Sequence, residues 1–253
     1  MGGLDAATVS VPGIEIVGPG GSRSLPGLPS DVHDAAAAPA PGGGAYLFGG
    51  GEPSRDAILH VTPAGRTTTA GRLPAPASDV AAAAIGSTYY VVGGFTGTQP
   101  LRTIVAWQPG SKARVVARLP IAVRYAAVAA AGNRLVIAGG STGTSASRAV
   151  YAFDPAAGAV KRIATLPRPL THAAAATLGG FVYVIGGRGA TLTSQTAAIR
   201  AIDARTGRVT TAGRLPRRLS DAGAVSARGS IVLAGGRDAA GQVRSEVLRL
   251  EPR

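Results

Sequence analysis

Short apolar runs recur along the chain between polar, glycine-bearing loops, and they come in two kinds. One kind is rich in alanine, at 35–38, 81–84, 126–131, 173–176 and 222–225. The other is β-branched and aromatic, at 46–48, 89–92, 135–138, 181–185 and 231–234. Continuous apolar runs of this length suit strands buried on both faces. Alanine alone favours helix, but each alanine run is short and lies between an upstream Leu-Pro and a downstream turn. The pattern therefore predicts a strand a, of small side chains in a crowded place, followed by an apolar strand b. A third set, at 57–61, 103–107, 149–153, 198–202 and 246–250, gives strand c. A more polar set, at 66–70, 113–117, 160–164 and 208–211, gives an outer strand d.

Two markers keep these strands in step. Leu-Pro occurs at Leu28-Pro29, Leu73-Pro74, Leu119-Pro120, Leu166-Pro167 and Leu215-Pro216, and a glycine pair closes each strand b, at Gly49-Gly50, Gly93-Gly94, Gly139-Gly140, Gly186-Gly187 and Gly235-Gly236. Spacings of 44 to 49 residues between successive markers point to a propeller. The repeats fall at 28–72, 73–118, 119–165, 166–214 and 215–253, after an N-terminal segment, 1–27. The fifth repeat stops after its strand c. The expectation is an all-β protein, a single five-bladed β-propeller of four-stranded blades, with the N-terminal segment completing the last blade and closing the ring. Such closure removes exposed sheet edges.

The run THAAAATLGGFVYVIGG, from Thr171 to Gly187, and RAVYAFDP, from Arg148 to Pro155, resemble kelch repeats, and the likeness extends over about 28–250. Two departures stand out. Kelch repeats usually carry a Trp in strand d, whereas the one Trp here is Trp107 in a strand c; kelch rings also usually have six or seven blades. The resemblance implies a bacterial-type kelch propeller that acts as a rigid, non-catalytic scaffold.

Composition narrows the chemistry. The chain has 253 residues and no Cys, which excludes disulfides, thiolate metal sites and cysteine nucleophiles. Its three His, His33, His60 and His172, do not supply the ligand set of copper oxidases with kelch-like propellers. No Gly-Lys-Ser/Thr and no His-Glu-x-x-His occurs, so no cofactor or metal is expected. A formal charge of +13 favours anionic partners. The arginines are nevertheless dispersed, so nucleic acid is a minor expectation. Val80 to Leu101 is uncharged for the length of a membrane span, but Gly93-Gly94, Gln99 and Pro100 interrupt it and it keeps the repeat register. No membrane span is expected, and the expected state is a monomer. No signal peptide is visible at the start. A secreted or surface-anchored location, with a signal removed, is preferred over the cytoplasm.

In a four-stranded blade the residues before strand a and after the Gly pair share one face. The column before strand a is Asp34, Asp79, Tyr125, His172 and Asp221, with Arg124 among the residues just upstream. These six are the candidate ligand-binding residues, at the mouth of a central channel. A repeated column also suits structural capping, and Tyr125 and His172 are the members that break the repeat. Candidate partner contacts in the loops are Glu52, Thr96, Thr98, Ser141, Thr142, Arg188, Arg237 and Asp238. An arginine column at Arg55, Arg102, Arg148 and Arg244 is expected to pair with the Asp column.

The leading functional reading is a scaffold for a protein or glycan partner, bound through the loop face. A sugar-active enzyme of epimerase or mutarotase type, with its site at the channel mouth, is the alternative; no catalytic motif supports it. Polyanion binding through a basic rim of strand d residues is the third reading.

Overall fold

The computed structural model describes residues 1–18 and 21–251. Residues 19–20 and 252–253 lie outside the described residues. Among the described residues the secondary structure is strands and turns, without a helix, and the fold is an all-β, five-bladed β-propeller. The chain divides into two compact units, 1–118 and 119–253.

The N-terminal unit begins with a hairpin of β1 (Ile14–Gly18) and β2 (Gly21–Leu25). Its first blade is β3 (Ala36–Pro39), β4 (Ala45–Phe48), β5 (Ala57–Val61) and β6 (Thr67–Arg72). Its second is β7 (Ala81–Ile85), β8 (Thr88–Val92), β9 (Thr103–Trp107) and β10 (Arg114–Arg118). In the C-terminal unit a blade of β11 (Ala127–Ala131), β12 (Arg134–Ala138), β13 (Ala149–Asp154) and β14 (Ala159–Thr165) is followed by one of β15 (Ala174–Leu178), β16 (Phe181–Ile185), β17 (Ala198–Asp203) and β18 (Val209–Arg214). After the short β19 (Leu219–Ser220) come β20 (Gly223–Ala227), β21 (Ser230–Ala234), β22 (Arg237–Asp238) and β23 (Val247–Leu250). The fifth blade is β20-β21-β23, while β19 pairs with β22. Every pairing is antiparallel, and in each four-stranded blade the pair of strands c and d carries a register shift at an equivalent position, as between Val150 and Tyr151 or Ile199 and Arg200.

The alanine runs are strands for the expected reason. Side chains alternate across a strand, so Ala174 and Ala176 of β15 pack towards Ile231 and Leu233 of the fifth blade, while Ala173 and Ala175 pack towards the blade before, with Val136 and Val150. One short strand thus serves two neighbouring sheets. Hydroxyls stitch these inner strands together: Thr177 Oγ1 donates to the Ala130 carbonyl at 2.5 Å, and Ser226 Oγ donates to the Thr177 carbonyl.

Both sequence markers have a physical cause. The Leu of Leu-Pro is a core residue, with Leu166 only 1% exposed, and its N–H donates to the Arg148 carbonyl at the start of strand c. At the Gly pair the next repeat's chain presses directly onto the backbone. Gly139 has φ of 68°, and a Cβ there would lie 2.2 Å from the Leu170 carbonyl oxygen; Gly140 N donates to that same oxygen at 2.9 Å. The Gly186-Gly187 pair repeats the arrangement with Leu219. Only glycine tolerates both the dihedral and the approach.

Within the N-terminal unit β1 pairs with β2, from Ile14↔Leu25 to Gly18↔Gly21. Ile14, Leu28 and Val32 pack with Leu47 and Val61 of the first blade. The reason lies in IEIVG and GSRSL, which form a strand c, turn and strand d run, so the two strands satisfy each other's backbone groups. The fifth blade has three strands among the described residues.

Trp107 occupies the ground that a strand d Trp would fill. It is 1% exposed, and it packs edge-on against Tyr46 at 4.9 Å and Phe48 at 5.9 Å. A Cβ on Gly71 of β6 would lie 2.8 Å from its Nε1. The indole of one blade thus fills the space left by a glycine in strand d of the blade before.

Candidate functional site

The column before strand a is first of all a backbone device. Asp34, Asp79, Tyr125, His172 and Asp221 all adopt the left-handed conformation, with φ between 52° and 60°. That region is uncommon for residues other than glycine, and Asp and His are among its more frequent occupants. The turn lets consecutive repeats join through their main chains. In the N-terminal unit Asp79 N donates to the Asp34 carbonyl at 2.8 Å; in the C-terminal unit His172 N donates to the Tyr125 carbonyl at 3.1 Å and Asp221 N to the His172 carbonyl at 2.9 Å.

In the C-terminal unit this ladder sets up an open cleft of about 270 Å³. Arg124, Tyr125, Thr171, His172 and Arg188 line it, together with Ser141, Thr144 and Ser145 of the loop after β12. Short ladders hold its walls: Arg124↔Ser141 and Ser141↔Ala146 on one side, Thr171↔Arg188 and Arg188↔Gln195 on the other. No carboxylate is among the lining residues, although Asp221 stands beside them, with its Oδ1 3.9 Å from His172 Nε2.

The two residues that break the repeat lie against each other. The Tyr125 and His172 rings are stacked, with centroids 3.7 Å apart and planes 23° from parallel. Arg124 Cζ lies 5.0 Å from the Tyr125 centroid, and its Nη2 donates to the Tyr125 hydroxyl at 3.3 Å. Arg188 Nη2 lies 3.0 Å from His172 Nε2. A guanidinium only donates, so Nε2 accepts; the proton of the neutral imidazole is therefore on Nδ1, which donates to Thr171 Oγ1 at 3.0 Å. Thr171 Oγ1 donates in turn to the Tyr125 carbonyl at 3.5 Å.

Electrostatics agree with that tautomer. Burial, then the charges of Arg188 and Arg124, push the His172 pKa down to about 3. The approach of Asp221 Oδ1 to His172 Nε2, 3.9 Å, is accordingly not an ion pair at neutral pH. His172 is a fixed acceptor that orients Arg188.

The remaining predicted residues fall elsewhere. Asp34 and Asp79 belong to the N-terminal unit, where His33 Nδ1 pairs with Ser10 Oγ at 2.6 Å and Asp79 is 3% exposed. Asp221 is next to the cleft rather than in its wall. Of the loop candidates, Ser141 and Arg188 line the cleft, and Thr142 braces the same loop through the Ser145 carbonyl at 3.1 Å. Thr96 and Thr98 bond to each other at 3.1 Å, in a loop of the N-terminal unit, and Glu52 is exposed there. Arg237 lies in the β19–β22 ladder opposite Ser220.

Asp238 is turned inward, at 8% exposure. It binds the Arg244 guanidinium and the N–H groups of Ala240 and Gln242, and these bonds, Arg244 first, hold its carboxyl below the usual range. It is a staple within its own loop. Arg244 therefore pairs in its own repeat and Arg148 donates to the Leu166 carbonyl at 2.8 Å, in place of the expected partners in the Asp column. Thr144 and Ser145 lie in the 141–147 loop, whose Gly, Ser and Thr content marks it as a contact loop but carries no mark of which way each side chain faces.

Comparison with known proteins gives two findings. The kelch motif matches residues 122–167, which span the Tyr125 wall of the cleft and the blade behind it. A solved structure titled "Structure of YjhT" superposes with a TM-score of 0.80 over 92% of this chain and 85% of that one, at 15% sequence identity, a likeness of fold alone. No curated protein matches the chain. Five repeats with kelch markers, a kelch-motif match in the third and a propeller neighbour of this extent make the chain a kelch-repeat β-propeller.

Proposed function

We propose that the protein is a non-catalytic binding scaffold that engages a protein or glycan partner through the loop face of its C-terminal unit. The cleft between the Ser141 and Arg188 loops is the anchor point. The observation that carries this reading is the cleft's lining of fixed donors and hydroxyls, whose one imidazole stays neutral. General acid–base catalysis favours a group whose pKa lies near the working pH, and a His172 held at about 3 does not meet that condition. A volume of about 270 Å³ is just below the range of pockets that enclose a whole drug-sized ligand. It suits one functional group of a larger partner.

Amide-resolved NMR of the whole chain tests the reading, with candidate peptides and sugars added one at a time. Binding is expected to shift the amides of 141–147 and 188–195 while the added compound itself stays unchanged. Conversion of a sugar between anomers or epimers, at a rate that falls in His172→Ala, would overturn it in favour of the sugar-active enzyme.

A further inference from the structure

The charge of the chain is divided unequally between its two units. The C-terminal unit holds 18 of the 26 basic residues and 6 of the 13 acidic ones, a net charge of +12, which leaves +1 on the N-terminal unit. Asymmetry of this size points to an anionic partner for one half. The acidic side chains of that unit are engaged near by. Asp154 pairs with Arg134 at 3.4 Å, Glu246 with Arg217 at 2.9 Å, Glu251 with Arg249 at 3.2 Å, and Asp238 with Arg244. Asp203 accepts from the N–H groups of Arg205 and Thr206 in its own turn. Among the described residues, Arg162, Arg168, Arg200, Arg214 and Arg218 have no carboxylate within ion-pair reach.

The fold sets two of these guanidiniums at one repeated position. Beside the register shift between strands c and d, the residue pair is Leu59↔Thr69 in the first blade and Val105↔Val115 in the second. In the C-terminal unit the same pair is Tyr151↔Arg162 and then Arg200↔Thr211. An arginine thus occupies one place in two consecutive blades, entering from strand d in one and from strand c in the next. Both are held by hydroxyls: Arg162 Nη2 donates to Thr165 Oγ1 at 2.9 Å, and Arg200 Nη1 donates to Thr211 Oγ1. A guanidinium carries five donors, so one such bond orients it and leaves most of the fork for a ligand. Arg168, Arg214 and Arg218, all exposed beside the Leu-Pro steps, extend the same positive surface along the rim.

The form of this surface favours one polyanion over another. Nucleic acid is usually held by a helix in the major groove or by exposed aromatic rings under unstacked bases. The described residues contain no helix, and the ring at the repeated position, Tyr151, is only 8% exposed. Hydroxyl-braced forks, one to a blade, match the planar geometry of a carboxylate. Their repetition suits a chain that carries carboxylates at regular intervals.

We infer that the outer strands of the C-terminal unit bind a linear acidic polysaccharide, with carboxylates seated on Arg162 and Arg200 of consecutive blades. This surface is separate from the cleft and does not depend on the reading given to it.

Fluorescence anisotropy on the whole chain tests it, with a fluorescein-labelled oligogalacturonate, its neutral methyl ester, and an oligothymidylate of the same charge as the first. The oligogalacturonate is expected to bind at least about tenfold more tightly than the ester, and to weaken with added salt. Arg162→Gln combined with Arg200→Gln should weaken it by at least about tenfold. The control is Arg66→Gln combined with Arg114→Gln, at exposed positions of the N-terminal unit. It removes the same net charge and should weaken binding by no more than about twofold. In amide-resolved NMR the oligogalacturonate should shift 159–165 and 198–214 and leave the cleft loops, 141–147 and 188–195, in place. Equal losses in the two double variants overturn the inference, because net charge alone then accounts for binding. Equal binding of the ester overturns it on the wild type, whether or not the variants fold. An oligothymidylate bound more than about tenfold more tightly than the oligogalacturonate would make this a nucleic-acid surface instead. Failure of the oligogalacturonate to bind, or shifts confined to the cleft loops, overturns it as well and leaves the scaffold reading of the cleft intact.

Discussion

At the scale of single residues, His172 joins fold and site. Its backbone turns left-handed to join two repeats, and its ring holds Arg188 through Nε2 and Thr171 through Nδ1. Acceptance at Nε2 requires the neutral form. Arg188, Arg124, Tyr125 and Asp221 are the ionisable neighbours around it, and the two guanidiniums reinforce what burial begins. In the unfolded chain the imidazole takes a proton near 6.5, while in the folded protein it resists until about 3. Between those values the unfolded state binds more protons, so this residue's contribution is complete above about 6.5 and is lost as the pH falls towards 3, by about 1.4 kcal/mol per pH unit. Thermal denaturation between pH 7 and 4 should show His172→Gln losing less stability on acidification than the wild type. Equal losses would mean that the ring is not held neutral in the fold.

At the scale of elements, the glycine pair couples a blade to the next within each unit, and two substitutions separate its two demands. Gly158 and Gly139 both have positive φ, 61° and 68°, but a Cβ on Gly158 meets open space and one on Gly139 meets the Leu170 carbonyl. Gly158→Ala should cost about 1 kcal/mol, the strain of the dihedral alone. Gly139→Ala should cost at least twice that, about 2 kcal/mol or more, because two blades must part to admit the methyl group; chemical denaturation of the two variants checks the order. This coupling is why the strands were legible in the sequence. Leu-Pro and Gly-Gly are consequences of core burial and close approach, so they recur wherever a blade does. The N-terminal hairpin is less legible, because IEIVG and GSRSL carry neither the alanine run nor the glycine pair that marks a repeat. The site was legible only in part. Tyr125 and His172 stood out by departing from Asp, but the bond from Arg188 to His172 depends on the register of a loop ladder 16 residues further on, which no local pattern encodes.

At the scale of the whole molecule, a charge of +13 sets a background attraction for any polyanion. Outer-strand residues such as Arg114, Arg118, Lys161, Arg162 and Arg214 are exposed and carry much of it. Salt separates that background from recognition in the cleft. Binding of an oligonucleotide should weaken by about tenfold or more between about 50 and 200 mM salt, as counterion release requires when several phosphates are engaged. A partner that places a single functional group in the cleft should weaken by no more than about threefold over the same range; titrations at the two salt concentrations decide between them. Specific recognition then has to come from somewhere other than charge, and the left-handed column shows where. Within each unit the backbone N–H and C=O of that residue are the parts that join neighbouring repeats. The framework asks of the position only that it tolerate a left-handed turn. Asp, Tyr and His are three different answers to one undemanding question, and a propeller of this kind can acquire a new ligand by rewriting sockets whose foundations never move.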